Sequence, residues 1–232
     1  MLKKRLGLIA IVSLANVLVC AQILALPLPP DTSDTDKRLK AAAEVMTEIM
    51  SAPDKGIPQD LMKKAACIAI VPSVKKAAFV VGGKYGRGFM VCRNDNGWAS
   101  PAGVRIEGGS VGFQIGGSET DVVMLVMNKD GVNKLLSNKF TFGADASATA
   151  GPVGRSSSAA TDAQMHAQIL TYSRSRGLFA GVSLEGATLR TDDDANKDMY
   201  GKTTSNKDIV SGNLKAPASA DSLLAEVKKH AG

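Results

Sequence analysis

The residues best able to do chemistry in this chain are its cations and two of its three cysteines. Between Lys55 and Arg105 stand nine basic residues, Lys55, Lys63, Lys64, Lys75, Lys76, Lys84, Arg87, Arg93 and Arg105, against two acids, Asp60 and Asp95. That stretch carries +7 within a chain of net charge +6. Several of these residues fall at strand ends and turns, where hairpins gather side chains on one rim of a sheet. A basic rim suits anionic headgroups, each Lys or Arg near an anionic surface contributing about 1 kcal/mol, although a solvated surface reads the same way. Cys67 and Cys92 lie in runs of strand character. Two readings stay open for them, a disulfide across a sheet and a pair of buried thiols.

Other chemistry lacks material. Histidine is limited to His166 and His230, and His166 sits in a segment read as helix, a poor base for a nucleophile. There is no C-x-x-C, H-x-H or H-E-x-x-H pattern, so no metal is expected. Gly83-Lys-Tyr-Gly86-Arg-Gly88 has the wrong spacing for a phosphate loop and joins strands instead of opening a helix. Asp192-Asp-Asp194-Ala-Asn196-Lys-Asp198 resembles the start of a calcium loop, but Lys197 replaces the glycine and Thr203 the glutamate, so the acids read as the N-terminus of a helix. With aromatics at 4%, stacking platforms for nucleic acid are not expected. No enzyme activity and no cofactor is expected.

The elements that must position these residues follow from periodicity. Leu39, Ala43, Met46 and Met50 recur at helical spacing over Asp36–Ser51, with Lys37, Arg38 and Lys40 on the polar face and Asp34 or Thr35 placed to cap it. Pro58 opens a short helix to about Ala65. Short apolar runs follow at Cys67–Val71, Ala77–Val81, Gly88–Cys92, Trp98–Ile106, Val111–Ile115 and Asp121–Met127, separated by glycines and an Asp95-Asn96-Gly97 turn. Further expectations are a helix at Lys129–Ser137, a strand at Phe140–Ala144, a loop at Ser147–Ser158 and a helix at Thr161–Tyr172. A strand over Leu178–Leu189 and a helix over Asp192–Tyr200 complete the pattern. The fold class is α+β, with a largely antiparallel, Gly-rich curled sheet or partial barrel bracketed by helices.

The ends carry routing signals. Lys3, Lys4 and Arg5 precede an apolar run to Val19, the pattern of a signal peptide over residues 1–21. Its removal lowers the charge from +6 to +3, the three lost charges all being positive. A lipoprotein modified at Cys20 and a retained anchor are the alternatives. Residues 22–35 read as a flexible leader, 36–201 as the domain, and 202–232 as a polar linker with a peripheral helix. Export to a periplasmic or envelope site is the expectation.

A succession of motifs resembles one family, the SYLF-domain proteins: Gly97-Trp98-Ala-Ser100-Pro101, Gly108-Gly-Ser-Val-Gly112-Phe-Gln114-Ile115-Gly116-Gly, Thr120-Asp121, Gly151-Pro152-Val-Gly154-Arg155, the run from Tyr172 to Gly186, and Asn196 with Tyr200-Gly201. The resemblance implies a lipid-binding module that uses an N-terminal amphipathic helix and basic residues. Lys37, Arg38 and Lys40 would then be headgroup contacts, joined by Lys63, Lys64, Lys75, Lys76, Lys84, Arg87, Arg93 and Arg105. The expected partner is an anionic phospholipid or membrane surface, with an envelope protein as the alternative. The family's actin role is not expected here, because the leader sends the chain away from a cytosolic cytoskeleton. Asp121, Arg155 and Glu185 read as a buried polar network that fixes the fold.

Overall fold

A computed structural model describes residues 33–52, 56–137, 139–154, 166–175, 178–181, 184, 186–212 and 214–232. The signal segment and Arg155 and Glu185 therefore lie outside the described residues.

Helix α1 (Asp34–Ser51) starts two residues earlier than its apolar spacing indicates, because the Ser33 hydroxyl accepts the Asp36 N–H at 3.1 Å and caps it. Its apolar face, with Leu39, Ala42 and Met46 fully buried, packs on the sheet. Helix α2 (Gln59–Lys64) follows Pro58. Two long strands then make the body of the fold, β1 (Cys67–Asn94) and β3 (Ala102–Val126), paired antiparallel from Cys67↔Val126 to Met90↔Ala102. Each absorbs several of the short runs expected from sequence. The ladder is irregular between Val71 and Val74, where Pro72 stands, and between Ala78 and Val80, opposite Gly116 and Gly112, without either strand ending.

The bending is strong enough to bring the two ends of β1 together. The Arg93 N–H donates to the Ala66 carbonyl at 2.8 Å, and Cys67 and Cys92 are disulfide-bonded with Cα atoms 4.0 Å apart. Of the two readings left open, the structure takes the bridge. Gly88 makes the approach feasible, since a Cβ there would stand 2.1 Å from the Ile70 carbonyl oxygen.

The short β2 (Gly97–Trp98) closes the expected turn, with Arg93 opposite Trp98. Helix α3 (Lys129–Leu135) and β4 (Lys139–Thr141) come next. Ala148–Ala150, expected as loop, forms β5 and pairs in parallel with β6 (Ile169–Ser175). The helix expected over Thr161–Tyr172 does not reach its end: residues 161–165 lie outside the description and Ile169–Tyr172 are strand. Four consecutive buried residues there fit a strand covered on both faces better than one helical stripe. The Leu178–Leu189 run divides into β7 (Leu178–Gly181) and β8 (Thr188–Thr191).

Helices α4 (Asp193–Tyr200), α5 (Asn206–Ser211) and α6 (Asp221–Ala231) finish the chain. Helix α5 falls where only linker was expected. Helix α6, expected at the periphery, buries Leu223 and Val227 completely in the cluster that contains α1. The result is a strongly curled half-barrel of eight mostly antiparallel strands with six α-helices among the described residues. No helix among those residues is long and apolar enough to cross a membrane.

Candidate functional site: a basic cavity between the first helix and the bent strand

The cavity forms where the first turns of α1 pass over the bend in β1. Pro72 and Ser73 interrupt the ladder, and Ser73 takes a left-handed φ of 53°. That conformation is costly for a residue with a side chain, and Asp121 supports it by accepting the Ser73 N–H at 2.9 Å. Asp121 also accepts Arg174 Nε at 2.7 Å, and Arg174 ion-pairs with Glu48 of α1. The network thus ties the bulge in β1, strand β6 and the helix together.

Asp34, Lys37, Arg38 and Ala41 of α1 form one wall, and Pro72, Ser73, Lys75, Tyr85, Gly86 and Arg87 of β1 the other, around about 440 Å³. Four cations face one acid. Asp34 is exposed and lies 3.7 Å from Lys37, a surface pair of little energetic weight.

The two arginines differ in their commitments. Arg87 donates from Nε and Nη2 to the carboxylate of Asp192, at 2.5 and 2.6 Å, in the bidentate geometry that guanidinium favours. Asp192 is 1% exposed and also caps α4 by accepting the Ala195 N–H. Burial pushes its carboxyl upward, but the hydrogen bonds from Arg87 and Ala195 and the charges of Arg87 and Arg38 outweigh it, so the pKa lies below the ordinary value. Arg38 sits 4.0 Å from the same carboxylate and donates to Thr35 Oγ1 at 3.2 Å. Its buried Nε finds no hydrogen-bond partner among the described residues. Burial, then repulsion by Arg87, lower its pKa. An arginine so placed gains from an incoming anion, which would supply the acceptor its Nε lacks.

Of the eleven cations singled out from sequence, the structure brings Lys37, Arg38, Lys75 and Arg87 to this cavity. Lys40 is exposed on α1 but does not line it. Lys63 and Lys64 end α2. Lys84 is half-buried, and burial and Lys76 lower its pKa, so those two lysines form a separate basic spot. Arg105 pairs with Glu107 at 2.8 Å. Arg93 is structural: it donates to the carbonyls of Lys63, Ala65, Ala231 and Gly232, at the ends of α2 and α6, and lies 4.3 Å over the Trp98 ring. Helix C-termini leave such carbonyls without intrahelical donors.

Of the expected polar network, Asp121 accepts hydrogen bonds from Ser73 and Arg174, while Arg155 and Glu185 lie outside the described residues. Sequence alone does not mark Ser73 and Tyr85, nor the pairing of Asp192 with Arg87. A signal for Asp192 existed in its position as the first of three acids opening a helix. The motif residues serve packing: Trp98 donates to the Gly232 carbonyl at 2.9 Å, Ser100 to that of Leu214 at 2.5 Å, and Tyr200 to that of Pro101 at 2.6 Å. Asn196 and Asn206 hold the Gly103 backbone from both sides, at 2.7 and 3.0 Å. His166 is exposed. No cluster of three or more potential metal ligands occurs among the described residues.

Comparison with known proteins agrees with these motifs. The model of the family described as "Ysc84: Las17-binding protein actin regulator" matches residues 107–230. The chain belongs to this family, the Ysc84 or SYLF-domain family. It is 34% identical over 86% of its length to LAS seventeen-binding protein 3 of Saccharomyces cerevisiae, covering 44% of that protein. It is 35% identical over 80% of its length to Protein YSC84 of the same yeast and over 85% to the human SH3 domain-containing YSC84-like protein 1, covering 41% and 58% of them. The chain therefore spans about half the length of these relatives. The family description, which names an actin regulator that binds Las17, overturns the expectation that an actin role is excluded by the leader.

Proposed function

We propose that this SYLF domain is a non-enzymatic module that docks on anionic membrane surfaces through the basic cavity of α1 and β1. The observation that carries the reading is Arg38, whose buried Nε lacks an acceptor in a cavity where four cations meet one acid. Diffuse attraction by Lys37 and Lys75 brings an anionic surface to the cavity mouth, and the guanidiniums behind donate hydrogen bonds to a phosphate oxygen. An exported location fits the basic, apolar N-terminus and the Cys67–Cys92 bridge, a bond that persists in oxidising compartments.

Co-sedimentation with phosphatidylcholine vesicles, with and without phosphatidylglycerol, tests the reading. Pelleting is expected only with the anionic vesicles, weakened by salt and by Lys37→Glu with Lys75→Glu. Equal pelleting on neutral vesicles, or none on either, rejects it.

The relatives' names support a second reading, in which the domain binds a protein of the actin pathway. Co-precipitation with purified Las17 that persists in the Lys37→Glu, Lys75→Glu variant while vesicle pelleting is absent would favour it over the first.

A further inference from the structure

We infer that Tyr85 is the side chain the domain sets into the lipid headgroup layer. The inference rests on the anionic-surface reading above and specifies which face meets the lipid. An amphipathic helix enters a bilayer with its apolar face, but α1 has none to offer. Leu39, Ala42 and Met46 are fully buried and Ile49 is 1% exposed, so insertion of that face would first require tearing α1 from the core. Within the described part of the domain, the membrane contact then falls to side chains that already face outward.

Large apolar side chains that do so include Tyr85, 49% exposed, and Val153. Only Tyr85 belongs to the cavity wall. The chain has three tyrosines; Tyr172 is fully buried and Tyr200 donates its hydroxyl to Pro101. Trp98, the single tryptophan, is occupied by Arg93 and the Gly232 carbonyl. Tyr85 alone is left free for an external role among these residues. Its surroundings match the layered chemistry of a membrane surface: an amphipathic ring favours the headgroup level, while Lys37 and Lys75 beside it meet phosphates. The backbone of Tyr85 is fixed opposite Glu107 in the β1–β3 ladder, so the main chain needs no ordering on binding.

Tyr85→Trp, compared with the wild type on phosphatidylglycerol-containing vesicles, reads the depth of this residue directly. Lipids brominated high on their acyl chains are expected to quench the new indole and to leave the wild-type Trp98 emission unchanged. Tyr85→Ser is expected to weaken vesicle binding roughly fivefold to tenfold, the scale of losing one half-exposed aromatic contact, whereas Tyr85→Phe retains most of it. Normal vesicle binding by Tyr85→Ser with no quenching of Tyr85→Trp overturns this inference and leaves the anionic-surface reading standing. No binding by any variant or by the wild type overturns both.

Discussion

Arg93 and Arg38 are both arginines on a basic surface, yet the fold treats them oppositely. Arg93 spends its guanidinium on four backbone carbonyls and the face of Trp98, locking the ends of α2 and α6 to the rim of the sheet. Arg38 donates to Thr35 and shares the Asp192 carboxylate at 4.0 Å, but keeps an orphaned Nε and a second arginine as neighbour. The charge of Arg93 is consumed by folding, while that of Arg38 is held in reserve. Counting cations does not separate the two roles; counting their acceptors does.

The largest effect tests what keeps the reserved charges in place. Asp192→Ala removes the buried carboxylate that holds Arg87 and caps α4, with an expected loss of about 3–5 kcal/mol, read as a drop in Tm by calorimetry. The same residue sets an acid limit. Its folded pKa lies below the ordinary 3.8, so its stabilisation is complete above that value and is lost as pH falls through the lower folded pKa. Urea unfolding of Asp192→Asn should lack that component, and an identical acid profile for variant and wild type would show that Asp192 does not contribute it.

Reducing the Cys67–Cys92 bridge, which closes a loop of 25 residues in sequence separation, should cost about 3 kcal/mol. Chemical denaturation with and without reductant measures this, and vesicle binding at a temperature where the reduced protein stays folded should be unchanged. Arg93→Ala should lose about 2 kcal/mol of stability through its charged hydrogen bonds while binding anionic vesicles as the wild type does. Arg38→Gln should do the reverse, with stability within about 0.5 kcal/mol and weaker vesicle binding. If Arg93→Ala impairs binding and Arg38→Gln impairs only stability, the contrast between consumed and reserved charge collapses.

Much of the fold was readable locally. The heptad-like spacing of Leu39, Ala43 and Met46, the Asp95-Asn96-Gly97 turn and the acids opening α4 each name their element through a short-range rule of propensity or capping. The failures share one cause. Six short strands became two long ones because Pro72, Ser73 and the glycines bend a strand that remains paired, and local pattern does not distinguish a bend from an end. Likewise, Ile169–Tyr172 read as a helical stripe because nothing nearby announces burial on both faces. The burial of α6 depends on α1, nearly two hundred residues away.

The amino-acid sequence by itself determined the family, the α+β class, the curled antiparallel sheet and the stock of cations, because motifs, periodicity and composition are local properties. Only the tertiary structure decided which cations share a cavity, that Asp192 pins Arg87, that α1 keeps its apolar face for the core, and that Cys67 meets Cys92. Those outcomes depend on how strongly β1 bends, and the bend is set by packing between segments far apart in the chain.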